Sequence, residues 1–162
     1  MTAPLRVSVA QWQLGLLRSE ELPGLAATAL EKGVDSPSLR ILAGLSSATA
    51  SELAPLVARV ADELKLDLPS SKRDIMLLAA RGIAERIISG EVPPYDGARQ
   101  IWSLWDDEDY PDELLPFVGE ASQIDDYAAT RVRDPATYNK WIANAEAGIV
   151  DAARQLVRSV AA

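Results

Sequence analysis

Apolar residues in this chain return every three or four positions almost from end to end, and that period belongs to the α-helix. Between positions 51 and 66, Leu53, Leu56, Val57, Val60, Ala61 and Leu64 fall on one stripe. Glu52, Arg59, Asp62 and Glu63 fall off it, as expected of an amphipathic helix with one face inward. Residues 75–88 repeat the pattern with Ile75, Met76, Ala79, Ile83 and Ile87, and Gly90 follows as a residue able to end a helix. Leu77 and Leu78 lie outside that stripe, so this helix is predicted to be buried on more than one side. Near the C-terminus, Trp141, Ala145, Ile149, Ala152, Leu156 and Val160 form one long stripe. Only Leu5, Val7 and Val9 also alternate as a strand would.

Helix starts can be read from side chains that accept hydrogen bonds from the first free N–H groups. Ser36-Pro37 and Asp134-Pro135 each place a capping side chain before a proline at the first helical position. Ser19-Glu20-x-x-Pro23, Ser51-Glu52-x-x-Pro55 and Asp112-Glu113-x-x-Pro116 share a second pattern. With Ser or Asp as N-cap, the proline falls at the fourth helical position and sacrifices only the first intrahelical bond. This reading is preferred to a capping box at Thr49 and Glu52, which would put Pro55 well inside the helix. The expected helices are 4–17, 20–32, 37–45, 52–66, 72–89, 94–105, 112–129 and 135–160. The fold class is therefore all-α, about eight helices packed as an irregular orthogonal bundle. A seam at 67–71 divides a short-helix part, 1–68, from a longer-helix part, 70–162, packed as a single domain. A helical-repeat solenoid is the rival, but the cap-Glu-x-x-Pro signal does not recur near position 81, where the missing copy should begin.

The chain contains no cysteine and no histidine. That removes disulfides, Cys/His zinc sites, thiolate nucleophiles and Ser-His-Asp catalysis, and with them the commonest general acid–base near neutral pH. No glycine-rich phosphate loop is present, and di-metal bundle sites need a Glu-x-x-His pattern that cannot be written here. Neither cofactor nor metal is expected, and enzymatic activity is disfavoured. Gln11 and Gln13 interrupt the N-terminal apolar stretch, and no apolar run approaches the roughly 20 residues that cross a bilayer. A cytoplasmic protein with no membrane role is the expectation.

Charge is unevenly placed. The net charge is −8, yet between Glu91 and Asp126 eleven acids meet one base, Arg99, so that segment carries −10 and the remainder +2. Nucleic-acid binding is disfavoured, because it rests on Lys and Arg contacts to phosphate. Asp106, Asp107, Glu108, Asp109, Asp112 and Glu113 crowd six acids into eight positions. A calcium loop fails on detail: counted from Asp107, Pro111 takes position 5, Asp112 the obligatory glycine and Val118 the bidentate glutamate. Tyr95, Trp102, Trp105 and Tyr110 flank the acids, and on one helix Tyr95, Ala98, Trp102 and Trp105 would share a face. Packing of that face into the core is the plain reading. The sharper one is that an indole reaches the rim as a binding anchor, since aromatic anchors ringed by charge are common at protein-binding hot spots.

Two segments carry a resemblance: residues 33–45, G-V-D-S-P-S-L-R-I-L-A-G-L, and residues 90–102, G-E-V-P-P-Y-D-G-A-R-Q-I-W. They are similar to stretches of small uncharacterised bacterial all-helical proteins that carry a G-E-V-x-P-Y-D-G-A-R-x-I-W segment. The likeness covers under a fifth of the chain. It implies a bacterial origin and a helical fold, and it carries over no functional residue.

The function expected from the residues is a non-catalytic interaction module. Tyr95, Trp102, Trp105, Asp106, Asp107, Glu108, Asp109, Tyr110, Asp112 and Glu113 would meet the basic surface of a protein partner. An acidic immunity or inhibitor protein is one form of this. The rivals are a small-molecule-binding domain or carboxylate-dependent enzyme with a pocket between the subdomains, and a structural subunit of a homo-oligomer.

Overall fold

In the computed structural model, residues 2–46, 49–105, 109–129 and 134–160 are described. Among them there are eight α-helices and no strand. The helices are α1 (Ala3–Gln13), α2 (Leu22–Glu31), α3 (Pro37–Ala43), α4 (Ala50–Leu64), α5 (Lys72–Ser89), α6 (Pro94–Trp102), α7 (Leu115–Ala129) and α8 (Pro135–Ser159). The alternation of Leu5, Val7 and Val9 does not produce a strand; these residues belong to α1. The chain divides into two compact units, Met1–Ile75 and Met76–Ala162.

In the first unit, α2 packs on α1 and α3, and α3 on α4. Leu5, Val9, Leu22, Leu39, Leu53 and Val60 are central to its core. The inward stripe of α4 is as expected, with Leu53, Leu56, Val57 and Val60 buried. Each such side chain contributes about 1.5–3 kcal/mol relative to exposure. The Ser36 cap forms, its hydroxyl accepting from the Leu39 N–H at 3.2 Å. A second anchor comes from α4, where the Glu63 carboxylate accepts from the Ser38 N–H (2.9 Å) and hydroxyl (2.7 Å). Those bonds hold the Glu63 carboxyl below its ordinary pKa.

The three cap-Glu-x-x-Pro starts are built differently from expectation. Ser19 and Asp112 are not α-helical caps; each opens a 3₁₀ turn, Ser19–Glu21 and Asp112–Leu114. The α-helix then begins one residue before the proline, so Pro23 and Pro116 sit at the second helical position and cost no intrahelical bond. At the third signal Thr49, not Ser51, is the N-cap. The Glu52 carboxylate accepts from both the Thr49 N–H and the Thr49 hydroxyl, each at 2.8 Å. Pro55 therefore lies inside α4 and deprives the Ser51 carbonyl of its i+4 donor. Both residues are exposed, so water can serve that carbonyl, and the two bonds at Glu52 prevail.

In the second unit, α7 packs on α8 and α6, and α6 also meets α8. Five consecutive residues of α5, Met76 to Ala80, are buried, which spans more than a full turn and bears out burial on several sides. Phe117, Ile101, Leu114 and Ile149 are enclosed completely. The Asp134 carboxylate caps α8, accepting from the Ala136 and Thr137 N–H groups at 3.2 Å each. Arg81 on α5 donates to the Val160 carbonyl at the end of α8, 2.5 Å away, and pairs with Glu85 at 3.0 Å. Two glycines mark close approaches. A Cβ on Gly97 would lie 2.5 Å from the Ile87 side chain, and one on Gly148 would lie 2.5 Å from the Glu120 carboxylate. Trp141 departs from the expected inward stripe of α8: it is 37% exposed and leans on Tyr127, ring centroids 5.0 Å apart. Among the described residues, no helix is long and apolar enough to cross a membrane.

Candidate functional site

The site grows from the point where α6 stops. Its helix was expected to run to Trp105 but ends at Trp102. At this end the Ser103 hydroxyl donates to the Gln100 carbonyl at 2.7 Å. Leu104 and Trp105 instead bond three residues back, to the Ile101 and Trp102 carbonyls at 3.1 and 2.9 Å. This tightened turn sets Trp105 one 3₁₀ step after Trp102. Ala98 is buried, Tyr95 and Trp102 are half-buried, and Trp105 is 49% exposed.

Trp105 is supported from below. Its ring packs against Tyr110, centroids 4.8 Å apart and planes tilted by 33°. The Tyr110 hydroxyl donates to the Ile101 carbonyl at 3.3 Å, and burial pushes its phenol up to about 12. Tyr110 therefore stays neutral throughout the physiological range and serves as a fixed apolar base with one satisfied polar atom.

A second chain of contacts holds Trp102. Tyr95 donates its hydroxyl to the Asp125 carboxylate on α7. Arg99 reaches the other Asp125 oxygen at 3.3 Å, and its guanidinium carbon lies 4.8 Å from the centre of the Trp102 ring. That is cation–π distance. Asp125, by accepting the hydrogen bond, also raises the Tyr95 phenol above its ordinary pKa. Arg99, Trp102, Ser103 and Trp105 together line a shallow surface notch.

Among the acids, Asp109, Asp112 and Glu113 are exposed. Asp106, Asp107 and Glu108 lie outside the described residues. Among the described residues no group of three or more carboxylates is arranged to hold a metal ion. The structure thus brings together Tyr95 with Trp102 through Asp125 and Arg99, and Trp105 with Tyr110. Sequence reasoning overlooked Asp125 and Arg99 as supports. The i, i+4 spacing of Tyr95 and Arg99, two donors on one helix face, was the available signal.

The fold and this site define an all-helical protein whose most prominent surface chemistry is aromatic and carboxylate. The chain belongs to a family described as an uncharacterized protein conserved in bacteria (DUF2247), whose profile matches residues 6–145. The expectation of an uncharacterised bacterial family is met at that level. No curated protein and no solved structure matches the chain.

Proposed function

We propose that this protein is a non-catalytic interaction module that offers the edge around Trp102, Trp105 and Tyr110 to a protein partner with a basic surface. The observation that carries the reading is Trp105, a large indole left 49% exposed and propped on a half-buried tyrosine. Rigid aromatic anchors lose little conformational entropy on binding and dominate hot spots once a partner excludes water from them. Asp109, Asp112 and Glu113 stand close by in sequence, within the segment that carries −10. Such a field draws a cationic partner and raises its on-rate at low salt. An immunity or inhibitor-type protein that masks a cationic, nucleic-acid-cleaving partner fits this chemistry.

Affinity capture from bacterial extract tests the reading, with wild type, Trp105→Ala and an Asp109→Lys/Asp112→Lys/Glu113→Lys variant run side by side. A basic protein should be retained by wild type at low salt, released at high salt, and lost from both variants. Truncating a central anchor typically costs 2 kcal/mol or more, about a 30-fold loss of affinity. Equal retention by all three proteins would remove the edge from the interaction. Self-association by light scattering that disappears in Trp105→Ala would make the edge a homo-oligomer face instead.

A further inference from the structure

The first unit contains a cleft of about 1050 Å³. Helix α4 contributes Ala54, Ala58 and Ala61 to its lining, and Trp12 joins them from the end of α1. The space exists because α4 turns small side chains outward here: Ala54 and Ala58 are exposed, where leucines at the same positions would occupy it. The cleft is open to solvent, and its volume is comparable to that of small-molecule sites.

The charges around the cleft are not balanced. Arg18, Glu20 and Asp62 line it. Arg18 is already engaged by Glu21, whose carboxylate accepts from the Arg18 backbone N–H at 2.9 Å and lies 3.6 Å from the guanidinium Nε. The side chains of Glu20 and Asp62 have no hydrogen bond or ion pair among the described residues. Two uncompensated carboxylates therefore face an alanine-lined space. Trp12 donates its indole N–H to the Ser19 hydroxyl at 3.2 Å. Its one polar atom is satisfied within the chain, so what it adds to the cleft is apolar and π surface.

We propose that this cleft is a binding site for an organic cation with an apolar body, an amine or quaternary ammonium. The carboxylates of Glu20 and Asp62 supply the charge, Trp12 a cation–π and apolar wall, and the alanines the space. With Arg18 engaged by Glu21, the two carboxylates favour a cation over an anion, and the satisfied indole asks for no acceptor on the ligand.

Three probes that share one ring and differ in charge test the site: benzyltrimethylammonium, benzyl alcohol and benzylsulfonate. Each is titrated into the full chain while the Ala54 and Ala58 methyl and Trp12 indole N–H resonances are followed. The cation should bind about tenfold or more tighter than the sulfonate, with the alcohol between. Glu20→Gln with Asp62→Asn should weaken the cation about three- to tenfold and leave the alcohol unchanged. Ala58→Leu, which fills the space from an exposed helical position, should abolish binding of the cation. Equal affinity for the three probes, no binding of the cation, or indifference to the charge variants would overturn the assignment. Shifts at these resonances with a basic helical peptide but not with the small cation would likewise overturn it, in favour of a helix-docking groove.

Discussion

Along the cleft of the first unit α4 offers Ala54, Ala58 and Ala61, whereas at the edge of the second unit α6 ends in Trp102 with Trp105 just beyond it. Both surfaces rest on helices with well-buried opposite faces, and both contain a tryptophan held by its neighbours. Trp12 is tied through its N–H to Ser19, Trp105 through its ring to Tyr110. The first surface is a wide cleft lined by small side chains, the second a shallow notch lined by large ones. On a helical scaffold the backbone spacing is constant, so side-chain volume at outward positions decides which of the two results. The acids also differ in use. Glu20 and Asp62 border a recess, while Asp109, Asp112 and Glu113 are exposed a few positions after Trp105 in the chain.

Several substitutions would break or sharpen this contrast. The largest effect is expected at Phe117, fully enclosed in the unit that carries the edge. Phe117→Ala should cost about 3–5 kcal/mol in urea unfolding, through lost burial plus a cavity. A cost below 1 kcal/mol would mean that the edge is not anchored on a close-packed core. The two close-approach glycines come next. At Gly97 a methyl meets the side chain of Ile87, itself buried, so Gly97→Ala should destabilise by about 1–3 kcal/mol. At Gly148 it meets only the end of a flexible Glu120 side chain, which can swing away. Gly148→Ala should therefore be neutral or gain up to about 1 kcal/mol from the lower entropy cost of alanine in a helix. Equal losses at both positions would contradict the packing described for α5 and α6.

Asp125→Ala should cost about 1 kcal/mol, since it leaves the Tyr95 hydroxyl and Arg99 without their shared acceptor. It should also loosen Arg99 from Trp102. A shift in tryptophan emission that is absent when the same change is made in a Trp102→Phe background would report that release. At the cleft, Ala58→Leu should change unfolding free energy by no more than about 0.5 kcal/mol, because the added side chain enters open space. A large loss there would show that the cleft is not available to a ligand.

The smallest effect concerns pH. Glu63 has a lowered pKa because Ser38 donates two hydrogen bonds to its carboxylate. Its contribution is complete above the ordinary carboxylate pKa and is lost as pH falls through the lowered folded value. Glu63→Gln should therefore lower the neutral-to-basic plateau of the melting-temperature profile and flatten its acid side. An unchanged acid slope would remove Glu63 from that role.

Much of the architecture was legible in the sequence. The expected helices match the eight found among the described residues, and Ser36 and Asp134 cap where their side chains and following prolines indicated. The errors lie where two local solutions compete at similar cost. Thr49 prevailed over Ser51 because Glu52 could satisfy two donors at once, outweighing a proline whose lost bond faces water. Ser19 and Asp112 opened 3₁₀ turns, which accommodate the same residues with a different bonding step. Of the candidate site, the aromatic and acidic residues were singled out from composition and helical spacing. Their partners Asp125 and Arg99 were not, since the contact spans 26 positions between Arg99 and Asp125 and leaves no periodic trace.

By itself the sequence determined what is local: helical winding, the inward stripes, the absence of thiol and imidazole chemistry, and the concentration of negative charge. Those follow from residues within one or two turns of each other and from the inventory of side chains. Only the tertiary structure decided which indoles remain outside. Trp105 stays 49% exposed with its ring against Tyr110, and Trp141 stands 37% exposed against Tyr127 of the neighbouring helix. The hollow beside Trp12 was likewise invisible along the chain. An alanine reads as helix former in sequence, and only the segments around it decide whether its small volume becomes part of a core or the wall of a cleft.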